Sequence, residues 1–182
     1  LTLIKTMPSR YNFIEEDNNV IYRCAYPIIY AEWEGFFSCA MKLYIREINL
    51  QNITLDDLHE KYFVNNLEKS FRQFKQYPLE EKFNQRKNFL YNLKDYYRNT
   101  GKVELNTEIN TESNLGFNVL NNILNIYNIR MVEEYLDNDG TSYKDKLEKI
   151  LLYKRNGIAH GDPSVTINRE DITEGIQLVT RL

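Results

Sequence analysis

The sequence predicts an all-α fold, a single-domain helical bundle of about five or six helices. Apolar residues recur at spacings of three and four over most of the chain, and no stretch shows the alternation of a half-buried strand. A chain of 182 residues fits one domain, so residues 1–182 are expected to form a single unit. An apolar share of 42% and a charged share of 27% indicate a globular rather than a disordered protein.

The first predicted element runs from Asp17 to about Leu50. Pro27 lies inside it, and a proline removes a backbone donor, so we expect two abutting helices or one kinked helix. Cys24 and Cys39 are interpreted as core thiols in a reducing compartment, since no second pair suggests a disulfide framework. The inward positions are predicted to be Ile21, Cys24, Ala25, Ile28, Ile29, Trp33, Phe36, Phe37, Ala40, Met41, Tyr44, Ile45 and Ile48.

Two further helices are predicted before the middle of the chain. Thr54 followed by Asp57 resembles a capping box and predicts a helix through roughly Phe74. Pro78 is expected to open the next helix, from about residue 79 to 97. That helix is the most basic stretch of the chain, although a solvated helix face explains its charges about as well. Its cations are Lys82, Arg86, Lys87, Lys94 and Arg98.

Polar residues 101–114 predict a loop, and three helices are expected after it. The first covers about 117–127, the second carries the chemical motif described below, and the third ends the chain. Side chains that can accept a hydrogen bond from a helix N-terminus precede each of them. The predicted caps are Ser113 or Asn114, then Ser142 or Thr141, and finally Asn168.

The charge balance limits how the protein could bind nucleic acid. A net charge of -3 and a pI near 5.5 argue against coating nucleic acid by bulk attraction, so any RNA contact must be local. Neither a secretory leader nor a run of about 18 apolar residues is evident, so no membrane partner is expected and the cytoplasm is the default location.

One hexad carries most of the chemical information. Arg155-Asn156-Gly157-Ile158-Ala159-His160 ends a predicted helix, and a Gly-Asp-Pro turn signal follows it. On a helix, Asn156 and His160 share a face, and Arg155 lies about 100° away from Asn156. The three polar side chains should therefore project beside the core, and a single protomer would offer only a thin site. Two copies packed across a two-fold axis would bring a pair of each into one cleft.

This hexad resembles the signature of the HEPN superfamily, in which an Arg and a polar residue precede a His at a helix end. A second run, Trp33-Glu34-Gly35-Phe36, resembles the Trp-Glu-Gly-aromatic segment of a bacterial HEPN-like branch. The resemblance implies a HEPN-like helical domain and a metal-independent endoribonuclease. It further implies a homodimer with a composite site, acting on RNA as a toxin or an antiviral-defence effector, with an antitoxin or a defence complex as a further partner.

The side chains suit that chemistry, since RNA supplies its own nucleophile in the 2′-hydroxyl. His160 is the candidate for proton transfer, because an imidazole exchanges protons near neutrality. Arg155 can grip the phosphate through its planar guanidinium, and Asn156 can orient the phosphate or the imidazole. Glu34 is a weaker candidate that could orient Arg155 by an ion pair, and an interhelical structural contact explains it equally well.

Plainer interpretations remain open. Arg155 and His160 could complement the helix dipole, with Gly161 as the C-cap. The fold could also have lost cleavage and serve as a dimerisation or nucleotide- or RNA-binding module of a larger complex. No cofactor and no metal are expected, since His59-Glu60 lacks the second His of a zinc helix. No Tyr follows His160, which argues against control by antitoxin modification of such a residue.

Overall fold

Helices are the regular secondary structure of the described part of the protein. The computed structural model describes residues 2–11, 15–51, 53–54, 57–71, 77, 81–99, 103–134 and 142–182, and these residues contain no strand. Their helices are α1 (Thr2–Tyr11), α2 (Glu15–Leu50), α3 (Glu60–Ser70), α4 (Phe83–Asn99), α5 (Phe117–Ile126), α6 (Tyr143–Asp145), a π-helical stretch (Lys146–Leu152), α7 (Tyr153–Ala159) and α8 (Arg169–Arg181). The all-α prediction is confirmed. Across the same residues, no helix has the length and apolarity needed to cross a membrane.

The long helix α2 continues through Pro27 as one element, so the alternative of two abutting helices is wrong. Its buried face differs from the predicted one. Ile28 and Phe36 are exposed, and the prediction that Cys24 and Cys39 are core thiols is wrong because both are exposed. Tyrosines occupy the core instead, since a phenol ring packs like an apolar side chain while its hydroxyl finds a partner. The buried residues of α2 are Tyr22, Ala25, Tyr26, Ile29, Tyr30, Trp33, Phe37, Met41 and Ile45.

The chain divides into two compact units. Unit 1 consists of residues 1–39, 110–121 and 131–182, and unit 2 consists of residues 40–109 and 122–130. The core of unit 1 includes the α2 residues up to Phe37 and a second set, Leu115, Phe117, Leu120, Leu147, Leu151, Leu152, Val165, Ile167, Ile172 and Leu178. The core of unit 2 contains Met41, Ile45, Leu67, Phe89, Val103, Leu105, Ile123, Leu124 and Tyr127. The expectation of one domain over 1–182 stays a prediction.

The start of α3 corrects the sequence prediction. Thr54 and Asp57 do interact, with the Thr54 hydroxyl donating to the Asp57 carboxylate at 2.6 Å, but neither residue lies in a helix. This bond and a second one, donated by the Thr54 N–H, hold the pKa of the Asp57 carboxyl below its usual value. The helix begins only at Glu60, where His59 is the N-cap and its ring nitrogen accepts from the Lys61 N–H. The predicted role of Pro78 lies outside the described residues.

Unit 1 begins with a helix that the apolar pattern did not predict, α1, which contains Pro8, a residue that disfavours helix interiors. The later helices follow their predicted caps more closely. Ser142 caps α6, and Asn168 forms a capping box with Asp171 at the start of α8. At α5, however, the first N–H is not satisfied by the predicted Ser113 or Asn114 but by a residue distant in sequence. The Phe117 N–H donates to the Glu148 carboxylate at 2.8 Å.

Candidate active site

The candidate site lies at the end of the helical segment formed by α6, the π-helical stretch and α7. In the π-helical stretch the backbone bonds reach back five residues, as at the Tyr153 N–H, which donates to the Glu148 carbonyl. Such stretches are rare and occur often near functional sites. Here the stretch leads directly into α7, which carries the Arg-Asn-x3-His motif.

The end of α7 is closed by its own backbone. His160 is the C-cap, and Gly161 follows with φ +74°, a conformation that glycine adopts without strain. The Asp162 N–H donates to the Gly157 carbonyl at 2.8 Å, and the Gly161 N–H donates to the Ile158 carbonyl at 3.0 Å. These two bonds define a Schellman motif. The C-cap is thus His160 rather than the expected Gly161, which takes the left-handed position one residue further along. The motif sets the direction in which the backbone leaves the helix after His160.

Arg155 is half-buried and lies against α2. Its guanidinium carbon is 4.5 Å from the centroid of the Tyr30 ring, and its Nη1 donates to the Asn156 side-chain oxygen at 2.7 Å. A guanidinium over an aromatic face gains from the quadrupole of the ring, more so when partly desolvated. The two contacts hold the guanidinium plane in one orientation.

Tyr30 is the residue on which this arrangement rests, and sequence reasoning missed it. It is 2% exposed, and its hydroxyl accepts from the Leu115 N–H at 2.6 Å. Burial raises the pKa of the Tyr30 phenol to about 12, with Glu34 raising it further and both the Leu115 N–H and Arg155 opposing the shift. The ring is thus a neutral, fixed platform below the guanidinium.

Glu34 is connected to Arg155 through Tyr30. Its carboxylate accepts from the Thr111 hydroxyl at 2.5 Å and interacts with the Tyr30 hydroxyl. Among the ion pairs of the described residues, none joins Glu34 to Arg155 directly. Both side chains contact the same tyrosine, so an orienting effect of Glu34 would act through that ring.

His160, the third motif residue, is separate from Arg155 and Asn156, which are bonded to each other. Asn156 is half-buried and already accepts from Arg155, whereas His160 is exposed. Within the described ranges no side chain hydrogen-bonds to the imidazole. A single protomer therefore brings Arg155 and Asn156 together and leaves the imidazole of His160 facing solvent.

Another residue of α2, Arg23, holds the loop that follows the motif. The Arg23 guanidinium donates one hydrogen bond to the Val165 carbonyl and another to the Asp162 carbonyl. Val165 is buried and packs so close to Gly157 that a Cβ added there would lie 2.5 Å from the Val165 Cγ2. Hydrogen bonds from Ser164, assisted by Arg23, hold the pKa of the Asp162 carboxyl below its usual value. Sequence reasoning also missed Arg23, since no spacing links it to this loop.

Lys154 is engaged in a structural contact. Its ammonium pairs with the Asp171 carboxylate, and the two side chains are 22% and 18% exposed. Asp171 also accepts from the Asn168 N–H in the capping box, so the pair ties α7 to the start of α8. This cation is therefore less available to a phosphate than its neighbour in sequence, Arg155.

The Trp33-Glu34-Gly35-Phe36 run has both buried and exposed residues on α2. Trp33 is 4% exposed and packs with Phe37 at a ring separation of 6.0 Å, and no described residue accepts a hydrogen bond from its buried Nε1. Gly35 and Phe36 face outward, with Phe36 70% exposed. A Cβ added at Gly35 would meet no heavy atom within 4 Å. Nothing in the described protomer explains a glycine there.

The chain matches a known protein family. The family model described as HEPN_MAE_28990-like HEPN matches residues 4–182. No curated protein and no solved structure gives a significant match. Within the described residues, no group of three or more His, Cys, Asp or Glu side chains is placed to hold a metal ion.

Proposed function

Because the chain belongs to the HEPN_MAE_28990-like HEPN family, we propose that it is a metal-independent endoribonuclease. Family membership alone supports a HEPN-type nuclease or a nucleotide-binding module. The observation that favours the nuclease is the end of α7, where an exposed imidazole lies five residues after a guanidinium held on a buried ring. We further propose that it acts in the cytoplasm as a toxin or an antiviral-defence effector, restrained by an antitoxin or a defence-complex partner.

In the proposed reaction the 2′-hydroxyl oxygen of RNA attacks the adjacent phosphorus, and the bond from phosphorus to the 5′-oxygen breaks. One imidazole accepts the 2′-hydroxyl proton, and an imidazolium donates a proton to the leaving 5′-oxygen. Arg155 stabilises the charge that develops on the non-bridging oxygens. The products are a 2′,3′-cyclic phosphate and a 5′-hydroxyl, and DNA, which lacks the nucleophile, is not cut.

The reaction calls for a homodimer. The described His160 and Arg155 side chains of one protomer form no hydrogen bond with each other, and a proton acceptor and a proton donor are both needed. Two motif helices related by a two-fold axis would supply two imidazoles and two guanidinium groups. Glu34 would contribute indirectly, by fixing the Tyr30 ring against which Arg155 rests.

The surface that we assign to this dimer is the outward face of α2 in unit 1. Its exposed apolar or small residues are Val20, Cys24, Ile28, Gly35, Phe36 and Cys39. Exposing a Phe ring to water is unfavourable because its apolar surface stays hydrated. A glycine inside a helix lowers stability by about 0.5–1 kcal/mol relative to alanine. Both costs are offset if a partner helix packs on Phe36 and approaches the backbone closely at Gly35.

The test is cleavage of total RNA by the purified protein in EDTA. His160→Ala and Arg155→Ala are each expected to reduce cleavage by at least about 100-fold, the usual size of a lost acid-base or charge-stabilising group. His59→Asn, which removes the other imidazole but keeps an N-cap acceptor, and Arg169→Ala, which removes an exposed arginine, are the matched controls. Cyclic phosphate ends identify the mechanism, and intact RNA in every lane refutes the proposal.

One observation favours the alternative, a non-catalytic dimerisation or nucleotide- or RNA-binding module. The Arg155 guanidinium is already engaged by Tyr30 and Asn156, which would suffice for a structural role. In that case Arg155→Ala would lower the free energy of unfolding while RNA stays uncut by the wild type. Cleavage that is lost in His160→Ala, whose exposed side chain contributes little to stability, would exclude this reading.

A further inference from the structure

A groove on unit 2 combines exposed aromatic rings with cations. It has a volume of about 450 Å³ and lies along α4 and the preceding Tyr77. Its rings are Tyr77, Phe83 and Tyr91, and its cations are Arg86, Lys87 and Lys94. On α4, positions 83, 87, 91 and 94 follow one another at spacings of four and three, which places them on one face of the helix.

The rings of this groove are unusually exposed for aromatic residues. Phe83 is 70% exposed, Tyr91 is 60% exposed and Tyr77 is 47% exposed. Isolated exposed apolar residues need no explanation, but a cluster of large ones marks an interaction surface. The partner must therefore offer flat apolar surface to three rings.

The charge of the groove indicates which partner this is. From Glu81 to Asn99 the chain has five cationic and two anionic residues, a net charge of +3, whereas the whole chain carries -3. The Arg86 guanidinium carbon is 5.0 Å from the Tyr77 ring centroid, and the Lys87 ammonium is 5.9 Å from that of Tyr91. Cations next to stacking surfaces match a polymer that alternates phosphates with flat bases.

We propose that this groove binds single-stranded RNA. Bases stack on Tyr91 and Phe83, the phosphate between them contacts Lys87, and a phosphate beyond Tyr91 contacts Lys94. At exposed sites a cation over a ring is held weakly, so a base can replace it on the ring while the cation moves to a phosphate. Duplex RNA is a poorer ligand because its bases are already stacked on one another. RNA as the substrate rests on the proposed function, but the binding itself does not depend on cleavage.

Binding can be measured by fluorescence anisotropy with a labelled single strand of about 15 nucleotides, in EDTA and in a His160→Ala background that cannot cut it. The test variant is Lys87→Glu/Lys94→Glu. Its control is Lys42→Glu/Arg46→Glu, which changes the net charge equally on an exposed part of α2. Loss of two phosphate contacts should make the negative slope of log Kobs against log salt shallower by about 1.4. We expect Kd to rise at least about tenfold for the groove variant and less than about twofold for the control, since bulk charge is screened.

A second pair of variants isolates stacking from charge. Tyr91→Phe keeps the ring and should bind as the parent does, whereas Tyr91→Leu keeps apolar volume without the ring and should weaken binding about fivefold or more. A duplex of the same sequence should compete poorly.

Equal loss of affinity in the groove and control variants overturns the proposal. Unchanged RNA affinity together with a changed sedimentation coefficient also overturns it, and assigns the groove to a protein contact. If the wild type cuts RNA but its RNA affinity does not depend on the groove, only the groove proposal is refuted. If the wild type never cuts RNA but binds it through the groove, only the proposed nuclease function is refuted.

Discussion

Gly→Ala substitutions at two glycines of the candidate motifs, Gly35 and Gly157, should change stability with opposite signs. Gly35 and Gly157 both lie inside helices, so Gly→Ala at either removes the same backbone entropy cost. A Cβ at Gly35 meets no heavy atom within 4 Å, whereas a Cβ at Gly157 lies 2.5 Å from the Val165 Cγ2. The comparison therefore isolates packing from helix propensity.

The magnitudes follow from these distances. Gly35→Ala should stabilise the protomer by about 0.5–1 kcal/mol, the helix propensity difference alone. At Gly157 the same gain is set against overpacking, which typically costs about 1–3 kcal/mol. Val165 cannot easily yield, since it is buried, stiff at χ1 and held at its carbonyl by Arg23. The two variants should differ by about 2 kcal/mol, which is roughly 4–8 °C in Tm for a chain of this size.

The assay is urea unfolding followed by far-UV circular dichroism, at constant m, for both variants and their parent. All three carry Phe36→Gln, so that loss of the proposed dimer contact at Gly35 does not enter the comparison. Destabilisation by Gly35→Ala would mean that the protomer itself needs this glycine, and the interface argument would lose its support. A neutral or stabilising Gly157→Ala would refute the claim that Val165 packs tightly against α7.

Other predictions concern the same helix. Tyr30→Leu should reduce RNA cleavage more than it perturbs RNA binding, because Arg155 loses its platform, and kcat measured separately from KM checks this. Stability should fall between pH 10 and 12, since the unfolded chain releases the Tyr30 proton near pH 10 and the folded chain only near 12. In Tyr30→Phe this part of the fall, about 3 kcal/mol, should be missing while other tyrosines contribute equally. Arg23→Ala should lower the unfolding free energy by about 1–3 kcal/mol by leaving two carbonyls without their donor, measured by urea unfolding. Phe36→Gln should give a monomer by sedimentation and abolish cleavage, and an active monomer would contradict the proposed dimer surface.

Local signals in the sequence predicted the fold class and several helix ends. Asn168 was recognisable as a cap because its capping partner lies three residues away in the sequence. The N-terminus of α5 was not, because the acceptor for the Phe117 N–H is Glu148. The capping-box pattern at Thr54 was real as a hydrogen bond but did not start a helix. A pattern states which bonds can form, and tertiary packing decides which segment the helix occupies.

Some residues of the candidate site were also predictable from local sequence signals, and others were not. Arg155, Asn156 and His160 were recognisable as a motif, and the structure places the first two in contact. Tyr30 could not be assigned, because the apolar pattern on α2 favoured Ile28 and Cys24 over tyrosines for the core. The available signal was the spacing of Tyr22, Tyr26 and Tyr30, each four residues apart and each buried. Read as amphipathic core residues rather than as polar ones, they would have predicted the observed face.

One element, α2, contacts both ends of the candidate site. Tyr30 of α2 lies below the Arg155 guanidinium, and Arg23, two turns earlier on α2, fixes the loop that leaves His160. The two motifs recognised in the sequence, more than a hundred residues apart, are thus joined through one helix, and Glu34 of the first motif interacts with the tyrosine that supports the second. Since the outward face of that helix also carries Phe36, a contact made there by a second copy would act on the element that orients the guanidinium. Dimerisation and the orientation of Arg155 should therefore be energetically coupled rather than independent.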